Sequence, residues 1–137
     1  MGQRNVETAM EEHKAFNRRD FSLSGASADC VYIDSARGLT LHGKAQVAEH
    51  LRGWTTAMSN AEVYEPSYID AGDVVIAQFT GRGTQDGPLG PFPASGKQTR
   101  AAFCEIFQFD KAGQITQIRA YYDMLSLLAQ LGHVPTP

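Results

Sequence analysis

Val6, Ala9, Met10, His13, Phe16 and Asn17 recur at the spacing of one helix face, while Glu7, Glu11, Glu12 and Lys14 fall mostly off it. That 3.6-residue period predicts an amphipathic helix. Asn5 is placed to cap it, Glu7 in the first turn suits the helix dipole, and it should end near Arg19-Asp20. Ser22 to Ala28 is rich in Ser and Gly and reads as a loop or a weak short helix. Asp29 to Asp34 is a short strand and Arg37-Gly38 a turn. Gly43 to Met58 is helical again, with Val47, Leu51, Trp54 and Met58 on one face. After Ser59 strand signals dominate, at Ala61 to Ile69, Val74 to Thr84, Gln98 to Phe109 and Ile115 to Tyr122. Asp70 to Asp73 and Asp110 to Gly113 are turns between them. Met124 to Leu131 makes a closing helix turn or two, ended by Gly132 and Pro135.

Helices first and hairpin-linked strands afterwards predict an α+β fold, an antiparallel sheet with helices on one face. Strands of this length coil strongly. A coiled sheet with helices on its concave side is a cone, and a cone leaves a cavity. Asp86 to Lys97 holds three Gly and three Pro in twelve residues, a long loop of the kind that is often functional. The 137 residues make one domain, 1–137.

Composition removes several classes of function. The chain is 42% hydrophobic and 20% charged, as soluble globular proteins are. Net charge is −3 and no basic run exceeds Arg18-Arg19, which argues against nucleic acid and against an anionic membrane surface. No apolar stretch approaches the roughly 20 residues of a membrane span. No apolar segment follows Met1 to Asn5 to act as a signal. Cys30 and Cys104 lie far apart with no CxxC, which predicts reduced thiols in a cytoplasmic protein. His13, His42, His50 and His133 have no metal-ligand spacing. Gly81 to Gly87 and Gly90 to Gln98 lack the strand and helix context of phosphate-cradling loops. The chain therefore reads as free of metal and cofactor.

Strand alternation puts Phe103, Glu105, Phe107 and Phe109 on one face, and Gln117, Arg119, Tyr121 and Asp123 on another shared face. A carboxylate among phenylalanines costs several kcal/mol unless it is paired or protonated. Glu105 is thus a candidate for acid/base work, and equally the partner of Arg119 in a structural cross-strand pair. Asp123 directly precedes Met124-Leu125-Ser126, so its residue-level reading is first a helix N-cap. Tyr32 and Asp34 alternate on the first strand and point to the cavity mouth. Trp54 and Met58 line either core or pocket, and Gln78 is a polar anchor or faces solvent.

The stretch Phe107 to Gly132 resembles the closing strand pair and helix of SnoaL-like polyketide cyclases, a family of the nuclear transport factor 2-like fold. Upstream, Phe16 to Asp20, Asp29 to Asp34, Leu41 to Gly43, Gly83 to Gly87 and the Pro/Gly-rich loop fall where that family has similar segments. The likeness runs from about Asn5 to His133. It implies a conical domain with an apolar cavity, usually a homodimer formed through the sheet. It also implies intramolecular aldol closure of a polyketide, with an aspartate at the end of the last strand as acid/base. Carried over, that residue is Asp123, which shifts its reading from cap to catalyst. The family's polar position on the preceding strand, often His or Asp, is Glu105 here. Arg119 stands where an aromatic residue is common, which implies a more polar or anionic ligand, or neutralisation of Glu105.

The resulting expectation is a cofactor-independent cyclase or isomerase acting on an apolar, carbonyl-bearing small molecule. Asp123, Glu105 and Arg119 are its catalytic group, and Tyr32, Asp34, Trp54, Met58, Gln78, Phe79, Phe103 and Tyr121 its substrate pocket. The alternatives are an epoxide hydrolase or dehydratase, with water held between Glu105, Asp123 and Arg119, and a non-catalytic ligand-binding or dimerisation domain.

Overall fold

The computed structural model describes residues 2–136. Its elements are α1 (Gly2–Asn17), β1 (Ala26–Asp34), β2 (Leu39–His42), α2 (Gly43–Ala57), β3 (Glu62–Ala71), β4 (Val74–Thr84), β5 (Gln98–Phe109), β6 (Ile115–Tyr122) and α3 (Met124–Gln130). The six strands form one sheet in the order β2-β1-β6-β5-β4-β3. Neighbours are antiparallel except β1 and β6, which run parallel. The helices pack on one side of this curved sheet: α1 against β3 and β4, α2 against β1, α3 against β5. The α+β architecture is the expected one.

Local differences have physical causes. The first strand begins at Ala26, so the Ser22–Ala28 region forms no helix. Leu39–His42 turns back after Gly38 and pairs with β1, adding an edge strand where only a turn was expected. Asn5 lies inside α1 and does not cap it. Its buried amide donates to the Gly72 carbonyl at 2.9 Å, tying the helix to the β3–β4 turn. At the other end of α1, Asn17 stops the helix by pairing with strand backbone. Its Nδ2 donates to Val63 O at 3.0 Å and its Oδ1 accepts from Val63 N at 2.8 Å.

The core has two parts. Val47 of α2 packs with Val75, Phe107 and Ile115 of the sheet in one cluster. Trp54, Met58, Leu89, Leu127 and Leu131 close the end beneath α3. Each fully buried side chain of this kind contributes about 1.5–3 kcal/mol. The Asp86–Lys97 loop is anchored by Gln85, which is fully buried. The Gln85 amide donates to the carbonyls of Gly87, Phe92 and Pro93, and its Oε1 lies 2.7 Å from His133 Nε2. Gly87 is obligatory there, since a Cβ would stand 2.1 Å from the Thr56 carbonyl oxygen.

One irregularity decides which side chains face inward. Between β5 and β6 the register shifts: Phe109 opposes Ile115, but Gln108 opposes Gln117. The extra residue is a β-bulge, and a slip of one residue exchanges the two faces of a strand. Ile115 is buried, and beyond the bulge the buried positions are Ile118 and Ala120.

Candidate active site

A cavity of about 90 Å³ lies between the helices and the inner face of the sheet. Its apolar walls include Phe16, Leu51, Trp54, Met58, Phe79 and Phe103. The aromatic rings are ordered. Phe79 stacks on Phe103 at 5.2 Å and 9°, Phe103 stacks on Tyr122 at 4.5 Å and 20°, and Trp54 meets Phe103 edge-on at 5.9 Å. Gly81 makes room for this stack, because a Cβ there would come within 2.7 Å of the Phe103 ring.

Glu105 enters this cavity from the inner face of β5 and is only 7% exposed. Its two oxygens have separate partners. Oε1 lies 2.7 Å from His13 Nε2, brought by α1, and Oε2 accepts from the Tyr32 hydroxyl at 3.3 Å. The other ring nitrogen, His13 Nδ1, lies 2.7 Å from the Tyr68 hydroxyl. Burial, reinforced by the Glu105 charge, pushes the Tyr68 phenol up to about 12. Burial, then the Glu105 and Asp34 charges, push Tyr32 well above the ordinary phenol value. Both tyrosines therefore keep their protons at neutral pH. Against an ionised Glu105, His13 Nε2–H donates to Oε1 and Tyr32 O–H donates to Oε2, while Nδ1 meets the Tyr68 hydroxyl on the far side of the ring. Donors meet both oxygens of the carboxylate, which is how a protein keeps a buried carboxylate from being stranded.

A second buried carboxylate sits behind the walls. Asp34 is 1% exposed and accepts from Tyr122 Oη at 2.8 Å and from the Arg37 backbone N–H at 3.1 Å; His50 Nε2 lies 3.1 Å away. Burial pushes its carboxyl up, but these donors and the Arg37 charge outweigh burial and hold it below the ordinary value. Arg37 also donates to Tyr122 Oη at 3.1 Å and lies over the Trp54 ring at 4.6 Å. Asp34 thus fixes Tyr122 directly and Trp54 through Arg37. It holds the aromatic wall and does not itself line the cavity.

Of the residues expected at the site, Tyr32, Trp54, Met58, Phe79, Phe103 and Glu105 line the cavity. Arg119, Tyr121, Gln78 and Asp123 do not. Arg119 opposes Ile106 in the sheet, while the residue opposite Glu105 is Ala120. The bulge turns Arg119 and Tyr121 to the outer face, where Tyr121 is 44% exposed. Gln78 is exposed on that same face. The Asp123 carboxylate is exposed and accepts from Ser126 N at 3.0 Å, capping α3. The expected meeting of Asp123, Arg119 and Glu105 in one hollow therefore does not occur, and β6 sends no carboxylate inward. Glu105 is partnered instead by His13, with Tyr68 behind it. His13 had a sequence signal, a histidine on the apolar stripe of the first helix. Tyr68 had none beyond strand alternation.

Among the described residues, no group of three or more His, Cys, Asp and Glu side chains is arranged to hold a metal ion. Nor, among the described residues, is any helix long and apolar enough to cross a membrane. The family model for SnoaL-like polyketide cyclases matches residues 6–131. No curated protein matches the chain. Among solved structures, the chain is similar to a proposed SnoaL-like polyketide cyclase from Jannaschia sp. CCS1, with 22% identity and a TM-score of 0.87 over 98% of this chain and 95% of that one. It is also similar to a proposed polyketide cyclase from Xanthomonas campestris pv. campestris (24% identity, TM-score 0.82, 95% and 98% covered). A third is a protein of ketosteroid isomerase-like fold from Catenulispora acidiphila, in complex with trimethylamine (23%, 0.78, 96% and 98%). At these identities the likeness to solved structures concerns the fold alone.

Proposed function

The chain belongs to the SnoaL-like polyketide cyclase family, and from that premise we propose that it is an acid/base enzyme whose general base is Glu105. The substrate class is an apolar small molecule bearing a carbonyl, and the reaction is intramolecular aldol closure or isomerisation. Glu105 takes a proton from the carbon beside the carbonyl. In ring closure the resulting enolate carbon attacks a second carbonyl of the same molecule, and the new alkoxide recovers the proton from Glu105. In isomerisation the proton returns to a different carbon.

His13 is a positioning residue in this scheme. It holds Oε1 and is itself fixed by Tyr68. Tyr32 holds Oε2. A base in a site that excludes water acts without solvent reorganisation, and a positioned base contributes about 10²–10⁴-fold to rate. Confinement between the stacked rings favours the folded substrate conformer that closes a ring.

The observation that carries this reading is a single one: a buried carboxylate lies on the wall of an apolar cavity, with a separate partner at each oxygen. The test does not require the natural substrate. Exchange of the α-protons of 1-tetralone with D₂O, followed by NMR, reports proton abstraction directly. The protein should accelerate exchange over buffer, and Glu105→Gln should remove the acceleration. Binding of the ketone without exchange would instead mark a ligand carrier.

A further inference from the structure

Tyr68 reaches His13 only because β3 is interrupted. Tyr64 opposes Thr80 and Ser67 opposes Gln78, so Glu65 and Pro66 together stand against one residue of β4. The extra residue is a β-bulge, and Glu65 takes a φ of 50°, a conformation rare outside glycine. Counting by twos from Tyr64 would put Tyr68 on the same face as Tyr64. The bulge moves it to the other face, toward α1, where its hydroxyl lies 2.7 Å from His13 Nδ1. His13 Nε2 lies 2.7 Å from Glu105 Oε1, and the rings of Phe79 and Phe107 flank the imidazole at 4.8 and 5.7 Å. Three side chains thus make one polar path through an apolar wall. Glu105 and His13 line the cavity; Tyr68 does not, and it is only partly buried. The other partner of Glu105, Tyr32, is buried and itself lines the cavity, so it opens no such path.

We propose that His13 and Tyr68 form a proton relay that joins Glu105 to solvent while substrate occupies the cavity. A substrate seated against Glu105 takes the place of water there, so a proton on the carboxyl needs another way out. Outward, protonated Glu105 gives its O–H to His13 Nε2, Nδ1–H passes to the Tyr68 oxygen, and the Tyr68 O–H goes to water. The carboxylate is restored, the imidazole ends neutral with its proton on the other nitrogen, and the phenol remains a phenol. Run inward, the same steps bring one solvent proton in for each that reaches Glu105. An imidazole bonded at both nitrogens suits this task, since it accepts at one and releases at the other. The relay rests on the reading of Glu105 as the base.

An isotope effect separates a relay from a mere support. Loss of deuterium and of trace tritium from the α-carbon of 1-tetralone into H₂O, followed in the same solvent, gives the primary isotope effect on exchange. With the relay intact the abstracted isotope escapes before it returns to carbon, so abstraction limits the rate and the wild-type protein should show the full effect. Tyr68→Phe should slow exchange per folded molecule by roughly tenfold or more, because the isotope now returns before it escapes, and the isotope effect should collapse toward unity. His13→Gln keeps a donor for Oε1 but cannot carry a proton through, and should give the same collapse. Slower exchange with an undiminished isotope effect in these variants would show that they only position Glu105 and overturns the relay, as does an unchanged rate in Tyr68→Phe or a wild-type isotope effect already near unity. In each of those cases the base reading stands. Absence of exchange in the wild-type protein overturns the base reading and the relay with it.

Discussion

His13 Nε2 and Glu105 Oε1 lie 2.7 Å apart although 92 residues separate them, and neither side chain is more than 10% exposed. The pair joins α1 to the middle of the sheet inside an apolar cavity. Removing one member leaves the other buried without its main partner. His13→Phe is therefore expected to lower stability by about 3–5 kcal/mol, and His13→Phe combined with Glu105→Leu to recover much of that loss. Chemical denaturation of the two single variants and the double variant measures the coupling. Additive losses would show that the contact contributes nothing to the fold.

Asp34 has the opposite relation to pH from a stranded acid. Its folded value lies below the ordinary 3.8, held there against burial by His50, Tyr122 and Arg37. The ionised form therefore favours the folded state. That contribution is complete above the unfolded value and is lost as pH falls through the folded one. Asp34→Asn should cost about 1–3 kcal/mol at pH 7, and the gap to wild type should narrow once the pH falls below 3.8. Urea melts at pH 7 and at pH 3 test this. A gap that widens in acid contradicts it.

Glu12 behaves in the reverse sense. Burial is the first cause holding its carboxyl above the ordinary 4.5, and it outweighs the Gly25 N–H that binds Oε1 at 3.2 Å. The fold therefore favours the protonated form. This contribution is fully present below the unfolded value and is lost as pH rises through the folded one. At pH 7 the ionised group is a burden. Glu12→Gln keeps an oxygen for Gly25 and drops the charge, so its Tm should rise at pH 7 and match wild type at pH 4 or below. A lower Tm at pH 7 would count against this.

Asp123 is predicted to matter for α3 and not for proton transfer. Its carboxylate caps the helix at Ser126 N, and loss of such a cap costs about 1 kcal/mol. Asp123→Ala should lower the Tm by a few degrees and leave ketone exchange per folded molecule unchanged. A variant of full stability that has lost exchange would return Asp123 to the chemistry.

The fold was largely legible in the sequence because its signals are local. The α1 and α2 stripes, the strand periods and the Asp/Gly turns each sit within a dozen residues. Glu105 was legible for the same reason, as a charge counted into a row of phenylalanines. The face of β6 was not. Counting by twos from buried Ile115 puts Arg119 and Tyr121 inward, and the bulge before Ile118 reverses that count. No Gly or Pro marks the extra residue, since Thr116 and Gln117 read as ordinary strand. The partner of Glu105 was hidden for a different reason. Which helix side chain meets which strand position depends on how α1 docks on the sheet, and periodicity gives the stripe without the contact.

The most direct test compares Glu105→Gln with Asp123→Asn in the 1-tetralone exchange assay, each alongside its denaturation curve. Glu105→Gln should stay folded and lose about 10²–10⁴-fold of the exchange rate, while Asp123→Asn keeps the wild-type rate per folded molecule. Exchange that survives Glu105→Gln, or that disappears with Asp123→Asn, would contradict a base seated on β5 between His13 and Tyr32.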